Sequence, residues 1–128
     1  MCIRDRNKYL VVGGGGLLGS NLISEILLSG SNVVAVDRDL NEMKKVLSLL
    51  GIESDSPNLD LRSLDITNEA NTKNFFTEID HLDGAVNCSY PRGEHYGASF
   101  LDVSQKDFNN NVALHLGSAF LILSLIHI

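Results

Sequence analysis

Positive charge is scarce in this sequence. Lys and Arg number 10 against 16 Asp and Glu, which leaves a formal net charge of −6. Nucleic acids and anionic membrane surfaces are gripped by clustered Lys and Arg. No such cluster occurs, so neither is expected as a partner. Cysteine is rarer still. Cys2 and Cys88 are too few and too far apart for a disulfide framework, and a reduced, cytoplasmic setting is the expectation. No basic-then-apolar leader opens the chain. The apolar tail from Ala119 to Ile128 falls short of the roughly 20 residues needed to cross a bilayer. Internal repeats and low-complexity stretches are also missing. What remains is a chain of 128 residues, 44% apolar, which suits one soluble domain with one buried core.

The two ends have a common origin. Met1-Cys2-Ile3-Arg4-Asp5-Arg6 back-translates to ATG TGT ATA AGA GAC AG. The reverse complement of that DNA encodes Leu-Ser-Leu-Ile-His and an Ile-compatible codon, which matches Leu123 to Ile128. The DNA resembles the transposon-end adapter used to prepare sequencing libraries. Residues 7–122 are therefore expected to be the natural fragment, and residues 1–6 and 123–128 translated adapter, set aside from fold reasoning.

Within that span, short apolar runs alternate with helical patterns. Tyr9–Val12 reads as a buried strand that runs into four glycines. Leu17, Leu18, Leu22, Ile23, Ile26 and Leu27 recur at helical spacing, and Gly30 is placed to end that helix in a left-handed cap. Val33–Val36 is a second strand, Leu40–Leu50 a helix, Leu59–Ile66 a third strand and Asn68–Ile79 a more polar helix that turns Phe75, Phe76 and Ile79 to the sheet. Asp83–Ser89 is a fourth strand. A loop from Tyr90 to Asp102 follows, then Ser104 and Asp107 in capping-box register and a long helix from about Gln105. Strands alternating with helices imply an α/β fold: a doubly wound parallel sheet of the Rossmann type, incomplete at about four strands, with helices on both faces.

Chemistry is concentrated at the carboxyl ends of these strands, where such sheets bind ligands. Gly13-Gly14-Gly15-Gly16-Leu17-Leu18-Gly19 joins the first strand to the first helix. Glycines there let backbone N–H groups approach a pyrophosphate, and the helix N-terminus adds free donors and a favourable dipole. The strand before and the helix after are the context that a dinucleotide-binding loop needs; the alternative is merely a tight turn. Asp37 ends the second strand, 18 residues after Gly19. A carboxylate at that point can accept both ribose hydroxyls of an adenosine and repels a 2′-phosphate, so NAD is expected over NADP. Arg38 beside it softens the preference. Asp65-Ile66 and Asn87-Cys88-Ser89 close the third and fourth strands, although Asp65 could simply cap the next helix. His81, His95 and His115 share no metal-ligand spacing with Cys88, so no metal site is expected. Cys88 reads as a small core residue rather than a nucleophile.

The loop Val12–Gly19, Asp37, Asp65-Ile66 and Val86-Asn87 resemble the short-chain dehydrogenase/reductase family in order and spacing, over essentially all of residues 7–122. The resemblance implies an oxidoreductase in which the loop binds pyrophosphate, Asp37 binds the adenosine ribose and Asp65-Ile66 line the adenine pocket. The Asn87 strand end would lie beside the nicotinamide-side ribose. A narrower likeness, in residues 83–92 with Asp107-Phe108 and Leu114-His115-Leu116-Gly117, is to bacterial flagellin modification protein A-type oxidoreductases, linked to nonulosonic-acid sugar pathways. That likeness implies a sugar or sugar-phosphate substrate.

Several positions depart from the family. Val12 stands where Thr is common, and Asn87-Cys88-Ser89-Tyr90 where Asn-Asn-Ala-Gly is. His115 occupies the place of the tetrad Asn, with Asn111 one turn earlier on the same face; either could hold a proton-relay water, or His115 could simply pack. No Tyr-x-x-x-Lys occurs, so this stretch is expected to be inactive by itself. Two other readings stay open: a non-catalytic dinucleotide sensor on the same fold, and a methyltransferase, against which Gly19 argues. The long helix is apolar nearly all round, which fits burial or an interface, and members of the family usually oligomerise through it. Residues 7–122 alone are therefore expected to aggregate; a soluble, sharply melting monomer in analytical ultracentrifugation would contradict this.

Overall fold

The computed structural model describes residues 6–126, so most of the adapter-like opening (residues 1–5) and the last two residues, 127–128, lie outside the described residues. The elements run β1 (Lys8–Val12), α1 (Leu17–Leu28), β2 (Asn32–Asp37), α2 (Leu40–Leu49), β3 (Leu59–Ser63), α3 (Glu69–Glu78) and β4 (Gly84–Asn87), then α4 (Gln105–Val112) and α5 (Ser118–Leu125). The four strands form one parallel sheet in the order β3-β2-β1-β4.

β1 and β2 are apolar at nearly every position because they are central and covered on both faces. Alternation distributes their side chains. Leu10, Val12, Val34 and Val36 join Phe75 of α3 and Ile122 of α5 in one cluster. Val11, Val33 and Ala35 join Ile23 of α1 and Met43 and Leu47 of α2 in the other. Phe76 and Ile79 pack half-buried on the first cluster, as their spacing predicts.

Side chains cap three of the helices. Asp39 accepts the Glu42 N–H at 2.9 Å and Asn68 accepts the Asn71 N–H at 3.0 Å. Ser104 and Asp107 cap α4 reciprocally, each bond 3.1 Å. Gly30 ends α1 in the left-handed region, at φ +85°. α5 runs on from the preceding helical turn without a side-chain cap, and the N-terminus of α1 has none because Gly16 offers no capping side chain.

Three expected boundaries are corrected. β3 stops at Ser63, not Ile66. Leu64 donates its N–H back to the Asp37 carbonyl at 2.9 Å and turns its side chain into the core. β4 stops at Asn87, whose side chain accepts from the Ser89 N–H at 3.0 Å and so bends the chain out of the sheet. The long helix is interrupted by a π-helical turn, Ala113–Gly117. There the Ser118 hydroxyl donates to the carbonyl of Leu114 and to that of His115, which also accepts the Ser118 N–H. The loop before α4 also contains a 3₁₀ turn, Phe100–Asp102.

On the α4–α5 rod only Ser118 and Ile122 are buried, while Phe108, Val112, Leu116, Phe120 and Leu123 form an exposed apolar stripe. The expected burial or interface is thus met on one side of the rod and unpartnered on the other. Core and surface leucines separate the energetics. Leu10 is 0% exposed on a central strand and Leu49 81% exposed on α2. Leu10→Ala should lower unfolding free energy by about 2–5 kcal/mol and Leu49→Ala by no more than about 0.5 kcal/mol, as read from urea midpoints.

Candidate functional site

The loop between β1 and α1 is held by the end of β2. Gly13 and Gly14 both donate N–H bonds to the Val36 carbonyl, at 2.9 and 3.1 Å. Gly15 donates to Asp37 Oδ2 at 2.9 Å. Two glycines are dictated by space. Gly13 has φ +82°, and a Cβ there would lie 2.8 Å from the Cys88 carbonyl carbon. A Cβ on Gly19 would overlap the Gly13 carbonyl oxygen. The loop therefore keeps its backbone bare and leads into a helix N-terminus whose first N–H groups have no side-chain acceptor.

Past this loop a cleft of about 680 Å³ opens along the carboxyl edge of the sheet. Gly13, Gly16, Leu17 and Leu18 line it from the loop, Asp37 and Arg38 from the end of β2, Asp65 and Ile66 from beyond β3, and Cys88 and Ser89 from beyond β4. Most of the sequence-derived positions thus converge on one cavity. Gly14, Gly15 and Gly19 do not line it but lie under the loop, where Gly14 and Gly15 leave room for Met43 and Asp37. The Asn87 side chain is occupied with Ser89.

Asp65 does not cap α3, since Asn68 does. Its carboxylate instead accepts from the Thr67 N–H at 3.0 Å and from the Thr67 hydroxyl, and so fixes the turn that carries Ile66 to the cleft. Cys88 is half-buried against the α1–α2 side of the core, and burial pushes its thiol pKa up. The protonated thiol suits a packing residue, not a nucleophile.

Asn111 and His115 stand apart from that cleft, on the rod behind it. The His115 ring lies 4.2 Å from the Tyr90 ring, which does line the cleft. Asn111 Oδ1 and His115 Nε2 are both buried without a protein partner. Missed by sequence reasoning as site residues were Tyr90, Pro91, Arg92 and Thr67, all of which line the cleft. Their signal was available: each follows directly on a strand end already singled out. A larger hollow of about 880 Å³ lies away from the glycine loop, between residues 93–98 and α4, with His95 and Asp107 3.7 Å apart on its wall.

A bare glycine loop, an uncapped helix N-terminus and a carboxylate at the next strand end together define a Rossmann-type dinucleotide-binding fold. The model of the NAD dependent epimerase/dehydratase family matches residues 9–116, and the chain belongs to that family. No curated protein matches the sequence. Among solved structures, a short-chain dehydrogenase from Leptospira borgpetersenii with bound NAD+ superposes with a TM-score of 0.76 at 22% identity, over 94% of this chain and 44% of that one. A short-chain type dehydrogenase/reductase from Mycobacterium ulcerans gives 0.74 at 22%, over 94% and 45%. An oxidoreductase of the same family from Burkholderia thailandensis gives 0.75 at 17%, again over 94% and 45%. The short-chain dehydrogenase/reductase resemblance thus holds for the fold, and the chain spans less than half the length of these structures.

A Cβ at Gly13 or Gly19 would meet backbone atoms of the β4 end or of the loop itself, so either side chain would displace the bare loop that forms the cradle. Gly19→Ala should therefore abolish NAD binding in calorimetry and lower the melting temperature as well. Leu18→Ala, at an exposed position on the same turn, should leave the melting temperature within about 2 °C.

Proposed function

We propose that this chain is the nucleotide-binding part of an NAD-dependent oxidoreductase of the short-chain dehydrogenase/reductase type. The parent protein would move hydride to or from a hydroxyl or carbonyl carbon of a sugar or sugar phosphate. The observation that carries this reading is the junction of the glycine loop with Asp37: one carboxylate fixes the loop and faces the cleft where an adenosine ribose would rest. When bound, the nicotinamide supplies the hydride chemistry, while the protein supplies position and proton transfer. Gly13–Gly19 would hold the pyrophosphate, Asp65 and Ile66 the adenine edge, and Cys88 and Ser89 the nicotinamide side.

Asp37 favours NAD over NADP by repelling a 2′-phosphate. Arg38 beside it reduces that margin. The buried, unpartnered pair Asn111 Oδ1 and His115 Nε2 would be joined by a relay water, which needs two or more polar contacts in such a place. The sugar assignment rests on the likeness of residues 83–92 and 114–117 to flagellin modification protein A-type enzymes of bacteria. The catalytic Tyr and Lys would come from sequence beyond residue 122, so the present stretch would be inactive. A cytoplasmic homo-oligomer fits the acidic composition and the exposed stripe on α4–α5. No helix among the described residues is long and apolar enough to cross a membrane.

The competing reading is a non-catalytic dinucleotide sensor on the same fold, favoured by His115 in the family's Asn position. Calorimetry with NAD, NADP and S-adenosylmethionine tests the shared premise. NAD should bind, NADP should bind roughly tenfold or more weakly, and Asp37→Ala should narrow that gap. Preference for S-adenosylmethionine would overturn the reading. Sequencing the parent gene past the codon for Ile122 separates the two: a downstream Tyr-x-x-x-Lys supports the enzyme, and its absence supports the sensor.

A further inference from the structure

Charge is unevenly placed along the cleft. Asp37, Arg38 and Asp65 stand at the β2 and β3 ends, where an adenosine would lie. At the β4 end the charged lining residue is Arg92. Arg62, by contrast, is used structurally, bonded to Asp60 at 2.9 Å and to Glu78 at 3.0 Å. Arg92 makes no ion pair among the described residues.

Its guanidinium is nevertheless placed. It lies 5.1 Å above the Tyr96 ring. Tyr96 meets Tyr90 edge-on at 5.6 Å, and Tyr90 meets His115 at 4.2 Å. A chain of aromatic contacts thus ties an exposed loop cation to the helical wall. Tyr96 also holds the Tyr90 phenol above its ordinary pKa, while the Arg92 charge pulls it down. Tyr90 is therefore neutral at physiological pH and does not supply a counter-ion. Stacking uses the face of a guanidinium and leaves its N–H edge free, and that edge matches the paired oxygens of a carboxylate or phosphate. Placing an unpaired Arg beside a cleft in an acidic protein makes that end locally attractive to anions.

We propose that Arg92, braced by Tyr96 and Tyr90, is the anchor for an anionic group, a carboxylate or a phosphate ester, on the substrate of this site. The inference deepens the oxidoreductase reading and rests on it. The substrate would lie at the β4 end of the cleft, its anionic group on the Arg92 edge and its reacting carbon toward the nicotinamide.

The test uses the 128-residue chain kept in solution as a fusion to a solubility partner and saturated with NAD, titrated with glucose 6-phosphate, glucuronate and glucose while the Arg Nε–Hε resonances are followed by NMR. At least one of the two anions should bind and move the Arg92 signal; which one does so identifies the group. Glucose should bind at least about tenfold more weakly. Arg92→Met should weaken the anion by a similar factor and leave NAD affinity within about twofold, and Arg92→Lys should recover part of the loss. Binding of neither anion, or equal binding to Arg92→Met, overturns the proposal. Loss of NAD affinity in Arg92→Met assigns Arg92 to the cofactor pyrophosphate and overturns it too. Failure of the unaltered chain to bind NAD sinks the oxidoreductase reading itself, and this inference with it.

Discussion

The Val36 carbonyl receives two N–H groups, from Gly13 and Gly14, and the next donor along, that of Gly15, goes to the Asp37 carboxylate. Three successive glycines are thereby fastened to the end of one strand. That fastening requires β1 and β2 to be neighbours in parallel register, with Val12 opposite Val36. It also requires the loop to leave β1 without side chains, since Met43 and Ile23 already fill the space beneath Gly14. The helix that follows can then start close against the loop, with Gly19 under the Gly13 carbonyl. Sheet register, helix placement and ligand cradle are one constraint seen from three sides.

The same bond gives Asp37 two tasks. One oxygen accepts the Gly15 N–H, and the carboxylate as a whole faces the cleft. A carboxylate that only faced the cleft could be exchanged for another polar group without disturbing the loop. Here a change of Asp37 also releases the loop, so the charge at this edge of the cleft and the loop geometry are coupled. Arg38 does not share that role, because its carbonyl accepts from the Ser63 hydroxyl at 3.2 Å and its backbone is tied to β3 instead.

Much of this was legible in the sequence. The alternation of strands and helices, the glycine loop, the acid after β2 and the capping box at Ser104 all rest on local chemistry that the residues carry with them. What was not legible lay where tertiary contacts override local pattern. Leu64 and Ile66 look like strand residues because they are apolar and alternate, yet they are buried beyond the sheet, in a turn shaped by Asp65 and Thr67. The apolar run around Leu114 and Leu116 reads as uniform helix, and nothing local announces the π-helical turn. Arg92 escaped because no periodicity attaches to a loop, although it follows β4 by only a few residues.

The rod formed by α4, the π-helical turn and α5 reconciles three demands that one regular helix meets poorly. Ile122 must reach the core beneath the sheet, and it does so beside Leu10 and Phe75. His115 must come within ring contact of Tyr90, just past the end of β4. The stripe from Phe108 to Leu123 is left facing outward. An α-helix advances 100° per residue and fixes the angle between these faces; inserting a wider turn between residues 113 and 117 shifts it. Ser118 steadies that turn by donating its hydroxyl to the Leu114 and His115 carbonyls and its N–H to the latter. The π-helical turn is therefore the joint that lets one element close the core at its far end and brace the ligand-facing loop at its near end. Replacing it by regular helix would rotate either His115 or Ile122 off its contact.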